Sequence, residues 1–210
     1  MRDPLILAFD TSAAFCAAAV LSGASILAAA EEPMATGQAE RLFSLLEELL
    51  AQAGAGWADL AAIGVGIGPG NFTGVRLSVS AARGLALSVK RPAIGVSRLE
   101  ALAEGLDRPL AVIEDARRGA VYVQRFLPDR TEAPDLAEAA SLDLGPLPRI
   151  GSGAELVPGG PVVAPAMPLA VAIARLAGQR LGTDQPRPAP LYLRAADAAP
   201  PSDPPPVILP

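Results

Sequence analysis

Apolar and polar positions change period several times along the first hundred residues. Leu5–Phe9 is a short apolar run that stops at Asp10-Thr11-Ser12. Cys16–Leu21 and Ser25–Ala30 are two more, separated by Ser22-Gly23-Ala24. Short apolar runs punctuated by turn residues predict three adjacent strands in a meander. The period then lengthens: Leu42, Leu45, Leu46, Leu49 and Leu50 recur every three or four residues, with Glu40, Arg41, Ser44, Glu47, Glu48 and Gln52 on the other face. That spacing predicts an amphipathic helix over Gln38–Ala53, ending near Gly54. Leu60–Ile67 returns to strand character and runs into Gly68-Pro69-Gly70-Asn71-Phe72-Thr73-Gly74, where proline and glycine end any ladder. A second helix is expected over Thr73–Val89 with Thr73 as N-cap. A strand at Pro92–Val96 and a short helix at Arg98–Glu104 follow.

A second unit is expected from near Pro109. Leu110–Ile113 and Ala120–Leu127 read as paired strands around Asp115-Ala116-Arg117-Arg118-Gly119. Asp129–Pro148 is weakly patterned. Ile150–Gly153 and Val162–Ala164 read as short strands, Leu169–Leu181 as a helix and Leu191–Leu193 as an extended piece. Pro200, Pro201, Pro204, Pro205, Pro206 and Pro210 mark a polyproline-like or flexible tail. The expected division is an N-terminal lobe over 1–106, a smaller C-terminal lobe over 107–195 and a tail over 196–210. Strand–loop–helix alternation after a meander points to an α/β fold of mixed sheets with helical covers.

Composition narrows the function classes. The chain has 210 residues, 51% hydrophobic and 19% charged, which suits a folded rather than disordered protein. Its net charge of −5 disfavours independent binding of nucleic acid over the whole surface. Thr11–Ala30 is uncharged, but it is mostly Ala and Ser, follows Asp3 and Asp10, and contains a glycine turn. It reads as strands rather than a membrane segment or signal peptide. Cys16 is the only cysteine, so no internal disulfide forms, and a reducing cytoplasm is the expected location.

The chain contains no histidine. Ser-His-Asp and Cys-His catalysis and His-ligated metal sites are therefore excluded within it, and one cysteine makes no Cys-rich zinc site. Asp10 and Thr11 at a strand end suit either a capped turn or a contact to a nucleotide. The loop with Gly68, Gly70, Asn71 and Thr73 joins a strand to a helix, where backbone amides converge, yet it lacks the P-loop lysine. An anion site and a structural turn both remain open. Gly74, Ser78, Ala81, Leu85 and Ser88, most of them small, form one stripe with Ala82 and Gly84 beside it, and Arg76, Arg83 and Lys90 another. Such a face packs internally or against a partner. Asp115, Arg117 and Arg118 form a charged turn, and Asp115 would pair with Asp10 across a cleft if the lobes face each other.

Taken together, I-L-A-F-D-T-S at 6–12, G-P-G-N-F-T-G-V-R at 68–76, G-L-A at 84–86, I-G-V-S at 94–97, D-A-R-R-G at 115–119 and P-L-Y-L-R at 190–194 resemble the TsaB (YeaZ) family. The resemblance implies a two-lobed, actin-like fold related to sugar kinases, Hsp70 and ribonuclease H. It implies a noncatalytic subunit in formation of threonylcarbamoyladenosine 3′ of the anticodon in tRNAs reading A-starting codons. The implied partners are a TsaD-like catalytic subunit and a TsaE-like ATPase, with tRNA reached through the complex and a homodimer competing for the same surface. ATP and a divalent metal are implied for those partners; no cofactor is firmly expected here. The implied partner surface takes in Glu40, Leu42 and Leu46 on the first helix and Gly74, Arg76, Ser78, Ala81 and Leu85 on the second.

Two positions depart from the family pattern. Gln38 stands where many relatives have histidine, and Ala120 where many have glutamate after the D-A-R-R-G turn. An independent ATP-dependent small-molecule kinase is the alternative function.

Overall fold

The computed structural model describes residues 3–194, so the proline-rich stretch expected over 196–210 lies outside the described residues. The meander forms as expected. β1 (Leu5–Asp10), β2 (Phe15–Ser22) and β3 (Ser25–Pro33) pair antiparallel. β4 (Leu60–Gly66) and β5 (Ala93–Val96) extend the sheet parallel to β1, giving the order β3-β2-β1-β4-β5. The uncharged run Thr11–Ala30 is thus strand and turn, and among the described residues no helix is long and apolar enough to cross a membrane.

The period of two sorts the side chains of this sheet. Leu7 and Phe9 in β1 join Cys16, Ala18 and Val20 in β2 on one face. There they meet the five leucines of α1 (Gln38–Gln52), all of them buried. α2 (Phe72–Val89) covers the same face over β4. Each leucine taken out of water contributes on the order of 2 kcal/mol, so the helical period and the strand period reinforce one another.

Ile6, Ala8, Ala17 and Ala19 point to the opposite face, against α4 (Leu169–Gln179). α4 is apolar nearly all round because it is enclosed: its cluster also holds Leu99 and Leu102 of α3 (Arg98–Ala103) and Leu110, Val112 and Phe126. Alanines let it approach closely, and a Cβ on Gly64 would sit 3.0 Å from those of Ala8 and Ala177. The boundary at 107 placed this helix with the smaller lobe. Its packing is instead with β1, β2 and β4, because the chain returns to cover the bare face of the first sheet.

The second sheet has the order β8-β7-β6-β9, from β6 (Leu110–Asp115), β7 (Ala120–Phe126), β8 (Asp135–Glu138) and β9 (Arg149–Ile150). β8 emerges from the weakly patterned region, where backbone pairing with β7 supplies order that side-chain periodicity does not signal. The strand expected at Val162–Ala164 reduces to a bridge from Val162 to Arg149. Leu191–Leu193 forms no strand, although the Leu191 N–H donates to the Ile67 carbonyl at 2.8 Å. The whole is the mixed-sheet α/β architecture expected, built on two sheets with helical covers.

Candidate functional site: an inter-lobe cleft and an outer helical face

The β1–β2 turn, the start of α1 and the glycine loop face the β6–β7 turn across a cleft of about 770 Å³. Thr11, Gly70, Asn71 and Thr73 line one wall, and Asp115, Arg117 and Tyr122 the other, with Arg98 and Glu114 between them. Asp10 and Gly68 do not line it. Arg118 lies on a second concavity of about 520 Å³ that shares Asp115 and Arg117 with the cleft.

On the first wall the polar groups are largely engaged with one another. Asp10 is fully buried, and its Oδ1 accepts from the backbone N–H and the hydroxyl of Ser12, each at 2.7 Å. Its Oδ2 has no partner, and a Cβ on Gly66 would overlap this carboxylate. The Thr11 hydroxyl donates to the Gly74 carbonyl at 2.7 Å, and the Asn71 N–H to the Ser12 carbonyl at 2.6 Å. The N-cap of α2 is Asn71 rather than Thr73. Its Oδ1 accepts from the N–H groups of Thr73 and Gly74 at 3.0 Å, so two donors an anion would use are already taken.

On the opposite wall, Asp115 Oδ1 accepts from the Arg117 N–H at 2.7 Å, and its Oδ2 lies 3.5 Å from the Arg117 guanidinium. The turn is left-handed at Arg117, Arg118 and Gly119, with φ of 67°, 56° and 79°. Because Asp10 is buried beneath its own turn and Asp115 is bound to Arg117, the two do not form a carboxylate pair in the cleft. No group of three or more potential metal ligands occurs among the described residues.

The sequence reading missed the cleft floor. Arg98 Nε donates to Glu114 Oε2 at 2.6 Å, with side chains only 14% and 9% exposed. Glu114 Oε1 accepts from the Ser152 N–H at 2.9 Å. This ties α3 to β6 and to the turn after β9. A glutamate inside the apolar run of β6 was the available signal, since a buried charge demands a partner.

The expected partner surface needs correction at four positions. Leu42 and Leu46 are fully buried in this chain's own core. Gly74 and Ser78 face the chain's own sheet: the Ser78 hydroxyl lies 3.1 Å from both the Gly66 and the Val75 carbonyl oxygens, which share its single proton, and a Cβ on Gly74 would overlap the Thr11 carbonyl oxygen. Small side chains suit packing on a sheet as well as on a foreign helix, so their spacing alone does not tell the faces apart. Ala81 and Leu85 are half-buried against the leucine cluster. Glu40 and Arg76 are exposed. The outward stripe of α2 is Phe72, Arg76, Ser80, Gly84 and Leu87, and Leu87 is 81% exposed. Phe43 is the exposed aromatic of α1.

Two electrostatic features lie elsewhere in the first sheet and its cover. Arg41 bridges Glu32 on β3 and Glu48 on α1, and its hydrogen bonds hold both carboxyls below the ordinary range. Burial, with Glu32 nearby, pushes the Cys16 thiol up to about 11, which leaves it an inert apolar filler.

The family model described as TsaD, tRNA N6-adenosine threonylcarbamoyltransferase, matches residues 32–164. Escherichia coli TsaB, a tRNA threonylcarbamoyladenosine biosynthesis protein, is 36% identical over 130 residues, 59% of this chain and 55% of that protein. The chain thus spans little more than half the length of that relative. An uncharacterized Mycobacterium bovis protein is 33% identical over 201 residues, 93% of this chain and 94% of its own. The structure of YeaZ from Pseudomonas aeruginosa superposes with a TM-score of 0.73 at 26% identity, covering 90% of this chain and all of that one. On the family model the chain belongs to the TsaD family, and it is similar to the TsaB and YeaZ proteins.

Proposed function

We propose that this chain is a noncatalytic cytoplasmic subunit in the formation of threonylcarbamoyladenosine in tRNA, and that it acts by docking onto a TsaD-like catalytic chain. The observation that carries the docking is the outer stripe of α2, where Leu87 is 81% exposed and a Cβ on Gly84 would meet nothing within 4 Å. Ser80 and Gly84 let a second helix approach closely in the middle of the stripe. Leu87 and Phe72 supply apolar anchors towards its ends. A second copy of the chain would compete for the same surface, while a TsaE-like ATPase and tRNA would join the completed complex.

The residue inventory supports a noncatalytic role. The chain holds no histidine, and the carboxylates at the cleft are committed, Glu114 to Arg98 and Asp115 to Arg117. The subunit then contributes surface and position, raising the population of a productive partner conformation. The matches to TsaB and YeaZ proteins do not favour the kinase alternative. The test is reconstituted threonylcarbamoyl transfer to tRNA with this chain present or omitted, while complex formation is followed. Transfer that needs the chain supports the reading; equal transfer without it, or ATP turnover by the chain alone with a sugar acceptor, rejects it.

A further inference from the structure

Arg76 differs from the other cations of the outer helical face. Its guanidinium lies 3.6 Å from the centroid of the Phe72 ring and 5.8 Å from that of Tyr192. Its Nε donates to the Tyr192 hydroxyl at 2.8 Å. The two rings are themselves in contact, with centroids 5.5 Å apart. Two aromatic neighbours and one hydrogen bond therefore fix the plane of an exposed guanidinium. With Nε engaged, the two terminal nitrogens remain as a preset donor pair. No carboxylate pairs with Arg76 among the described residues, and α2 contains no acidic residue at all. Rigid placement lowers the ordering entropy of binding, and a planar guanidinium matches a carboxylate through two parallel hydrogen bonds.

We infer that Arg76 is the charge-recognition residue of the docking face, and that its ligand is a side-chain carboxylate on a helix of the protein partner. The inference rests on the subunit reading above. Two features select a protein carboxylate over an RNA phosphate. Arg76 is one cation within an otherwise small and apolar stripe of Phe72, Ser80, Gly84 and Leu87, which suits an amphipathic helix. The neighbouring cations also make a poor track for a phosphate backbone: the Arg83 Nε is buried without a partner, and Lys90 lies about 20 Å along the helix at roughly 1.5 Å per residue. An RNA backbone is bound by several spaced cations, whereas a carboxylate needs one.

The experiment measures affinity of the full chain for a purified TsaD-family partner, using wild type, Arg76→Ala, Arg76→Lys and Tyr192→Phe, each with an unchanged thermal melt. Arg76→Ala is expected to weaken the complex by about thirtyfold or more, chiefly through faster dissociation. Arg76→Lys is expected to recover only part of this, because an ammonium lacks the paired, stacked donors. Tyr192→Phe should weaken it less than Arg76→Ala. Equal affinity of wild type and Arg76→Ala overturns the inference and leaves the subunit reading intact. Unchanged partner affinity with weaker tRNA retention by the complex overturns it in favour of a phosphate ligand. Failure of wild type to bind the partner overturns the subunit reading itself.

Discussion

Gly74→Ala separates the two faces of α2. A Cβ at this position would overlap the Thr11 carbonyl oxygen and lie 3.0 Å from the Thr11 carbonyl carbon, both backbone atoms that cannot swing aside. The start of α2 would have to move away from β1. That shift strains the 2.7 Å bond from the Thr11 hydroxyl to the Gly74 carbonyl, at a threonine with no exposed surface. Overpacking costs about 1–3 kcal/mol. A buried hydroxyl without its partner costs about 1–3 kcal/mol more. The better helix propensity of alanine returns about 0.5–1 kcal/mol. The net expectation is a loss of about 3 kcal/mol, or a urea midpoint lower by about 1–3 M at ordinary m-values. Gly84→Ala is the matched control in the same helix, where open space predicts a gain of about 0.5–1 kcal/mol. Urea melts of both variants decide the matter. If Gly74→Ala melts within about 0.5 kcal/mol of wild type, the close approach of α2 to β1 is not what this glycine is for. A stably folded Gly74→Ala that no longer binds the partner would put Gly74 back on the docking surface.

Leu87→Glu should leave the melt within about 0.5 kcal/mol of wild type, because the side chain is 81% exposed, while abolishing co-purification with the partner. Leu42→Ala should do the reverse, costing about 2–5 kcal/mol of stability at a fully buried site, with no specific loss of affinity in the fraction that remains folded. The Cys16 thiol, raised to about 11, should resist maleimide at neutral pH until the protein unfolds, so labelling should track unfolding and not reagent concentration. Glu32 and Glu48 have folded-state pKa values held below the ordinary 4.5 by Arg41. Their stabilisation is therefore present above that value and is lost as pH falls through the lowered folded values. Arg41→Gln should remove this dependence, leaving an acid melt that begins at higher pH than in wild type; coincident acid melts would show that the bridge does not matter in solution.

Much of the fold was legible because its signals are local. The leucine period of α1 and the short apolar runs of the meander announce which atoms must leave water, whatever surrounds them. The same holds for the missing histidines, which limit the chemistry before any coordinates are known. Tertiary structure alone decided which side of α2 looks outward. Gly74 and Ser78 carry the small side chains that a partner helix would accept, but β1 and β4 claim them first. The cleft floor was likewise hidden, since Arg98 and Glu114 are distant in sequence and meet only when α3 packs on β6. So was the assembly of Phe72, Arg76 and Tyr192 from a helix and the last described segment. Periodicity states that a side chain must be buried or is free to be exposed, whereas its neighbour is set by how sheets and helices stack across long loops, which no short window of residues contains.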